Sequence, residues 1–256
     1  MARERRVRGP AADVSWVDLA ALDAELIDCR ACPRLVDWRE HVARDKRAAF
    51  AHWRYWGRPV PGFGPADARL LILGLAPAAH GGNRTGRMFT GDQSGEVLFR
   101  ALYDVGLASQ PTASHLNDGM DLYGVRMTAP VHCAPPQNKP TPAERDRCAD
   151  WLRGELDLLV PTLRSVLVLG GFGWQVGLRT FADLGWHVDS PRPRFGHGVR
   201  TIIRRDDATE LTVFGSYHVS QHNTFTGRLT PTMLRAVIMD AARHGGLPAR
   251  DRTVPF

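Results

Sequence analysis

Four short apolar runs, each separated from the next by a segment of helical periodicity, constrain the fold of this 256-residue chain more than any other feature. Arg69-Leu-Leu-Ile-Leu-Gly-Leu75 is continuous and bounded by turn residues, as a strand covered on both faces must be. Tyr123 to Val131, Ser165 to Leu169 and Leu211 to Tyr217 repeat the pattern, the third run being stopped by Gly170-Gly171. Helices are expected between them, from about Gly95 to Val105 and near 173–184. A longer one runs from the capping box Thr141-Pro-Ala-Glu144 to about Val160, and the last from Thr230-Pro231 to about His244. Ser15 followed by Asp18 opens a further helix on the stripe Trp16, Leu19, Leu22 and Leu26, ending near Cys29. Residues 46–68 read as an ordered aromatic and Pro/Gly-rich loop. This alternation predicts an α/β fold with a mostly parallel sheet, residues 13–256 forming one domain behind a disordered basic lead at 1–12.

Composition narrows the class. No run of eighteen apolar residues occurs, which excludes a transmembrane helix, and the basic start Met1-Ala-Arg-Glu-Arg-Arg-Val-Arg8 is not followed by an apolar segment of the secretory kind. A cytoplasmic, reducing environment and a monomer are therefore expected. Thirty-three Lys and Arg against twenty-seven Asp and Glu give a net charge of +6, and the only lysines are Lys46 and Lys139. Arginine's planar fork suits phosphate better than an ammonium does, so nucleic acid is a partner class to consider.

Four cysteines, Cys29, Cys32, Cys133 and Cys148, would in a reducing compartment serve a metal rather than a disulfide. Two form C-x-x-C, and the set suits tetrahedral zinc or an iron–sulfur cluster, between which spacing does not choose. Either would staple the N-terminal helix to the body of the fold.

In parallel sheets ligands bind beyond the carboxyl ends of the strands. The loops starting at Leu75, His132 and His218 leave that edge, so three polar segments are expected to converge. The first, Gly74 to Asp92, lacks both the Walker and the dinucleotide signature. Its glycines permit close backbone approach, Arg84 and Arg87 supply phosphate partners, and Phe89 with Asp92 offers an apolar face beside a carboxylate. Those are the parts of a nucleobase pocket with a catalytic water. The second, Cys133-Ala-Pro-Pro-Gln-Asn-Lys-Pro-Thr141, is stiff, and Asn138 could read a base edge. In the third, His218-Val-Ser-Gln-His-Asn-Thr-Phe-Thr-Gly-Arg228, His218 can donate to a developing oxyanion. Ser220, Asn223, Thr224 and Arg228 can bind phosphates, and Phe225 can wedge into a base stack.

Together these segments resemble the uracil-DNA glycosylase superfamily, and within it family 5, the type-b enzymes. The resemblance spans roughly residues 29 to 240. It implies a three-layer α/β/α fold on a four-stranded, mostly parallel sheet, and a [4Fe–4S] cluster on Cys29, Cys32, Cys133 and Cys148. It further implies monofunctional cleavage of the N-glycosidic bond of uracil in DNA, double-stranded DNA being the expected substrate. Leu75, Ala76, Phe89 and Asn138 would surround the base, with Phe89 stacked on it and His218 on its O2. Asp92 would handle the water. Arg84, Arg87, Ser220, Asn223 and Arg228 would hold the backbone, and loop 220–228 would press into the minor groove.

Departures from the superfamily pattern carry their own expectation. Ala76 stands where better-known members have an acidic or amide residue, Ala78 where a tyrosine excludes a 5-methyl group, and Ala129 where an asparagine reads the base. A roomier pocket follows, tolerant of hypoxanthine or 5-substituted bases. The alternative reading is a non-catalytic, metal-stapled nucleic-acid-binding module.

Overall fold

The structure is a computed structural model that describes residues 15–253, so the expected basic lead at 1–12 lies outside the described residues. Five strands form one sheet in the order β2-β1-β3-β5-β4. They are β1 (Leu70–Leu73), β2 (Val125–Thr128), β3 (Ser165–Leu169), β4 (Arg200–Arg204) and β5 (Glu210–Ser216). The four strands expected from their apolar runs are mutually parallel, and β4 is an added antiparallel edge. It has no apolar run to betray it: Arg200, Ile202 and Arg204 face solvent while Thr201 and Ile203 are buried. Arginines along an exposed edge also discourage pairing with another chain.

Each side of the sheet carries a helical layer, which explains why β1 is apolar at every position. Leu70 and Ile72 pack into one core with α4 (Gln93–Asp104) and α8 (Pro231–His244), through Leu98, Leu102, Leu234 and Ile238. Leu71 and Leu73 pack into the other with α5 (Pro142–Leu159) and α6 (Gly171–Asp183), through Leu156, Leu159 and Phe181. Successive residues of a strand point to opposite faces, so a strand between two layers must be apolar throughout. The capping box at α5 is complete, Thr141 and Glu144 each bonding the other's backbone.

Two N-terminal features differ from expectation. The first helix, α1 (Leu19–Leu26), is capped by Asp18, which accepts from Ala21 N at 2.8 Å; Ser15 lies outside it, and Trp16 stacks on Trp151 instead of joining the helix. A second helix, α2 (Pro33–Arg44), was not legible as one. Among its buried positions Leu35, Val36 and Val42 are joined by an arginine, Arg39, which interrupts the apolar stripe.

From central β1 the chain turns first to β2 on one side and later to β3 on the other. The crevice between the carboxyl ends of β1 and β3 is thus the topological switch point, the favoured ligand site of such sheets.

Candidate active site

The three polar segments meet as expected. One cleft is lined by Ala78, His80 and Asp92 of the first, Pro135 and Asn138 of the second, and Ser220 of the third. Trp38, Arg47 and Phe50, from α2 and the loop after it, complete the wall. Backbone strain concentrates here. Of the four non-glycine residues with positive φ among the described residues, three lie on these segments: Phe89 (53°), Gln137 (55°) and Asn138 (56°). Strain of this kind persists only where surrounding structure enforces it, and it clusters at functional sites.

Asp92 is the N-cap of α4, its Oδ1 accepting from Gly95 N at 3.0 Å. Oδ2 lies against Gly81, where an added Cβ would stand only 2.0 Å from it. Burial raises its carboxyl above the usual value, partly offset by main-chain hydrogen bonds from Gly95 and Ser94. The group is held in place and is more basic than a surface aspartate. Phe89 is half-buried with its ring across Gly74, so close that a Cβ there would lie 2.6 Å from Cζ. Gly95 is equally obligatory, because a Cβ would meet Phe89 O at 1.6 Å. Glycines after β1 and in α4 therefore seat the aromatic face.

His218 follows β5 and packs beside Gly170, where β3 ends; a Cβ on that glycine would touch it at 3.4 Å. Burial lowers its pKa to about 4, so the imidazole is neutral at physiological pH and can donate a hydrogen bond to developing negative charge without itself carrying charge. Asn223 braces this turn, its Nδ2 donating to His218 O at 2.8 Å. Ser220 caps α7 (Gln221–Phe225) and lines the cleft. Arg228 is exposed, its guanidinium 4.4 Å from the Tyr217 ring centroid, and Phe225 is 72% exposed at the tip of the segment.

Arg84 and Arg87 correct the sequence reading. Both are buried, not on a rim. Arg84 donates to His80 O at 2.7 Å and Gly91 O at 2.6 Å and is sandwiched between Phe50 and Trp53, 4.0 and 4.1 Å from the ring centroids. Arg87 forms a two-pronged pair with Asp118, at 2.9 and 2.6 Å, and a bond to Thr90 Oγ1. Their forks are consumed in fastening the first segment to itself and to the loop holding Asp118, and Asp118 is in turn held far below the usual carboxylate range by Arg87 and main-chain amides despite its burial. Of the residues expected around a base, Asn138 is exposed in the cleft, whereas half-buried Ala76 packs with Cys32, Leu35, Val131 and Cys133. Leu75, Phe89 and His218 are half-buried and are not among the residues bordering the cleft. Ala78 lines the cleft, and Ala129 is buried in the core.

The four cysteines come together. Cys29 in the α1–α2 turn, Cys32 capping α2, Cys133 after β2 and Cys148 on α5 wall one small pocket. Arg39, 2% exposed, donates to Cys133 Sγ at 2.9 Å and to Cys29 O at 3.0 Å, and its Nε lacks a partner. The His132 main-chain amide donates to Cys148 Sγ at 3.4 Å. Burial pushes the Cys133 thiol up to about 11 and raises Cys32 and Cys148 as well. Among the described residues no three His, Cys, Asp or Glu side chains are arranged to hold a single metal ion. Four sulfurs around a cavity, with a buried guanidinium and an amide directed at them, fit the thiolate ligands of a larger, anionic group.

Residues 61–242 match the Uracil DNA glycosylase superfamily. Over 229 residues, 90% of this chain and 82% of the relative, the chain is 53% identical to the type-5 uracil-DNA glycosylase of Mycobacterium tuberculosis. It is 47% identical to the one of Thermus thermophilus over 90% of this chain and 100% of the relative. With the one of Pyrobaculum aerophilum it shares 42% over 86% and 91%. The chain belongs to the uracil-DNA glycosylase superfamily.

The span matched to the superfamily holds all three cleft segments, Cys133 and Cys148, while Cys29 and Cys32 precede it. Trp38, Arg47, Phe50 and His80 border the cleft although the sequence reading gave none of them a role. The interleaving of basic and aromatic residues over 46–56 was the available signal, since that composition suits a nucleic-acid surface. No described helix is long and apolar enough to cross a membrane.

Proposed function

We propose that this chain is a monofunctional DNA glycosylase that flips uracil out of DNA, hydrolyses its N-glycosidic bond and leaves an abasic site for base-excision repair. Membership of the superfamily and the names of the relatives support the activity. The observation that carries the chemistry is the contrast between two groups on the polar segments at one sheet edge, a half-buried carboxylate at Asp92 held above its usual pKa beside Gly81 and a neutral imidazole at His218 beside Gly170. Cleavage builds negative charge on the departing base and positive charge on the sugar. His218 donates to the base oxygen, a contribution of about 3 kcal/mol for a well-placed donor. Asp92 steadies the cationic sugar and orients the water that captures it. Phe89 stacks on the base, Asn138 meets its edge, Ser220 and Arg228 hold the strand, and Phe225 fills the gap left in the duplex.

With alanine at 78 in place of a bulky residue on the cleft wall, the pocket takes hypoxanthine and 5-substituted uracils as well as uracil. The enzyme acts on double-stranded DNA, as a monomer, in the cytoplasm. Cys29, Cys32, Cys133 and Cys148 hold a [4Fe–4S] cluster, whose Arg39 partner offsets its charge; bound there, it cross-links three chain segments and supplies no step of hydrolysis.

Labelled duplexes carrying one uracil, one hypoxanthine or one 5-hydroxymethyluracil, cut with alkali after incubation, test this reading. Cleavage at all three supports it. Cleavage at uracil alone overturns the roomy pocket, and no cleavage by cluster-loaded protein overturns the glycosylase.

A further inference from the structure

The wall of the cleft opposite the third segment is built with more order than a boundary requires. Tyr55, 8% exposed, places its hydroxyl 3.0 Å from His80 Nδ1. With the hydroxyl donating to Nδ1, the His80 proton is placed on Nε2. Phe50 stacks on the ring with centroids 6.5 Å apart, and Arg84 holds the His80 carbonyl at 2.7 Å. The ring is fixed in position, and Nε2 has no partner among the described residues. Burial together with Arg47 and Arg84 disfavours protonation, so His80 is a neutral donor.

Arg47 stands beside it. Among the residues lining the cleft it is the single arginine or lysine, it is exposed, and it forms no ion pair among the described residues. Asp92 and Glu96 line the same cleft and repel an anion from their side. One position therefore offers a free guanidinium and an oriented N–H together, and the substrate of the proposed activity is a polyanion.

We propose that Arg47 and His80, the latter held by Tyr55 as its Nε2–H tautomer, form an anion subsite that takes a phosphodiester of the DNA strand next to the extruded nucleotide. This rests on the glycosylase reading. Tyr55 is a positioning residue: it acts through His80.

The test measures binding of the full-length, cluster-loaded protein to a duplex holding a tetrahydrofuran abasic analogue across a salt series, with KM and kcat on a uracil duplex alongside. Arg47→Ala is expected to bind about tenfold more weakly and to lower the slope of log affinity against log salt by about 0.9, the value of one phosphate contact. His80→Ala and Tyr55→Phe are expected to weaken binding about fivefold with the slope unchanged, since a neutral donor releases no counterion, while His80→Gln restores most of the loss. In each case KM rises and kcat is retained. An unchanged affinity in Arg47→Ala, or in both His80→Ala and Tyr55→Phe, overturns the subsite. Should thermal unfolding show His80→Ala to be misfolded, Arg47→Ala and Tyr55→Phe decide. A wild-type protein that neither binds nor cuts these duplexes fails the glycosylase reading and the subsite with it, whereas a competent wild type with indifferent variants fails the subsite alone.

Discussion

At Asp92 one carboxylate caps α4 through Oδ1 and lies beside Gly81 through Oδ2, so its structural and chemical contributions can be separated by substitution. Asn caps about as well as Asp, whereas Ala forfeits about 1 kcal/mol of helix capping. Asp92→Asn is therefore expected to unfold like the wild type yet lose at least about 100-fold in excision rate. Asp92→Ala should lose both. The pH profile follows from the same site. Asp92 must be ionised to steady the sugar and hold the water, and its pKa is raised, so the single-turnover rate should climb with pH through a value above 3.8 and then level. His218 adds no limb between pH 5 and 8, having released its proton at about 4.

His218 also makes a stability prediction. Its folded pKa of about 4 lies below the usual 6.5, so between these values the unfolded chain binds more protons than the folded one. Its contribution is intact above pH 6.5 and is lost as pH falls towards 4. His218→Gln should remove that part of the acid sensitivity in urea unfolding series, together with about 100- to 1000-fold of the excision rate. Arg87 behaves differently. Truncating it leaves Asp118 without its cationic partner though still bonded by three main-chain amides, so Arg87→Ala should lower the unfolding temperature and leave the salt slope of DNA binding unchanged.

Among the elements, those carrying a full apolar signal were legible and those carrying a divided one were not. The runs at β1, β3 and β5 announced buried strands because each serves two cores, whereas β2 turns Val125 and Met127 into one core and Arg126 and Thr128 onto buried Glu155; the Thr141–Glu144 box announced α5 to the residue. Helix α2 escaped because a buried arginine occupies its stripe, and β4 because half its side chains are solvated. In the site, the convergence of three loops followed from strand polarity, and of the residues singled out in them Asp92, Asn138 and Ser220 line the cleft. The direction in which Arg84 and Arg87 turn did not, since sequence shows a guanidinium but not the carbonyls and carboxylate that capture it. The seating of Phe89 depends on an element boundary: Gly74→Ala should push the ring off its place, cutting the excision rate while β1 and the fold persist, as far-ultraviolet circular dichroism would record.

Across the whole molecule, the switch point between β1 and β3 holds Phe89 against Gly74 and His218 beside Gly170, Asp92 lines the cleft formed by the three polar segments, and the cysteine pocket ties α1, α2 and α5 to the loop after β2. The two regions share that loop, Cys133 at one end of it and Asn138 at the other, so the proposed cluster would brace one wall of the cleft. Cys133→Ser should lose visible absorbance and unfold at lower temperature, with residual activity falling in proportion to the folded fraction.

The most direct measurement is single-turnover excision of uracil from a labelled duplex by the wild type and by Asp92→Asn, at matched stability and cluster content. Cleavage by the wild type with a loss of at least about 100-fold in the variant is the expected result. Equal rates in the two proteins would contradict Asp92 as the group that steadies the sugar and its water, and the absence of cleavage in both would contradict the assignment of glycosylase chemistry to this cleft.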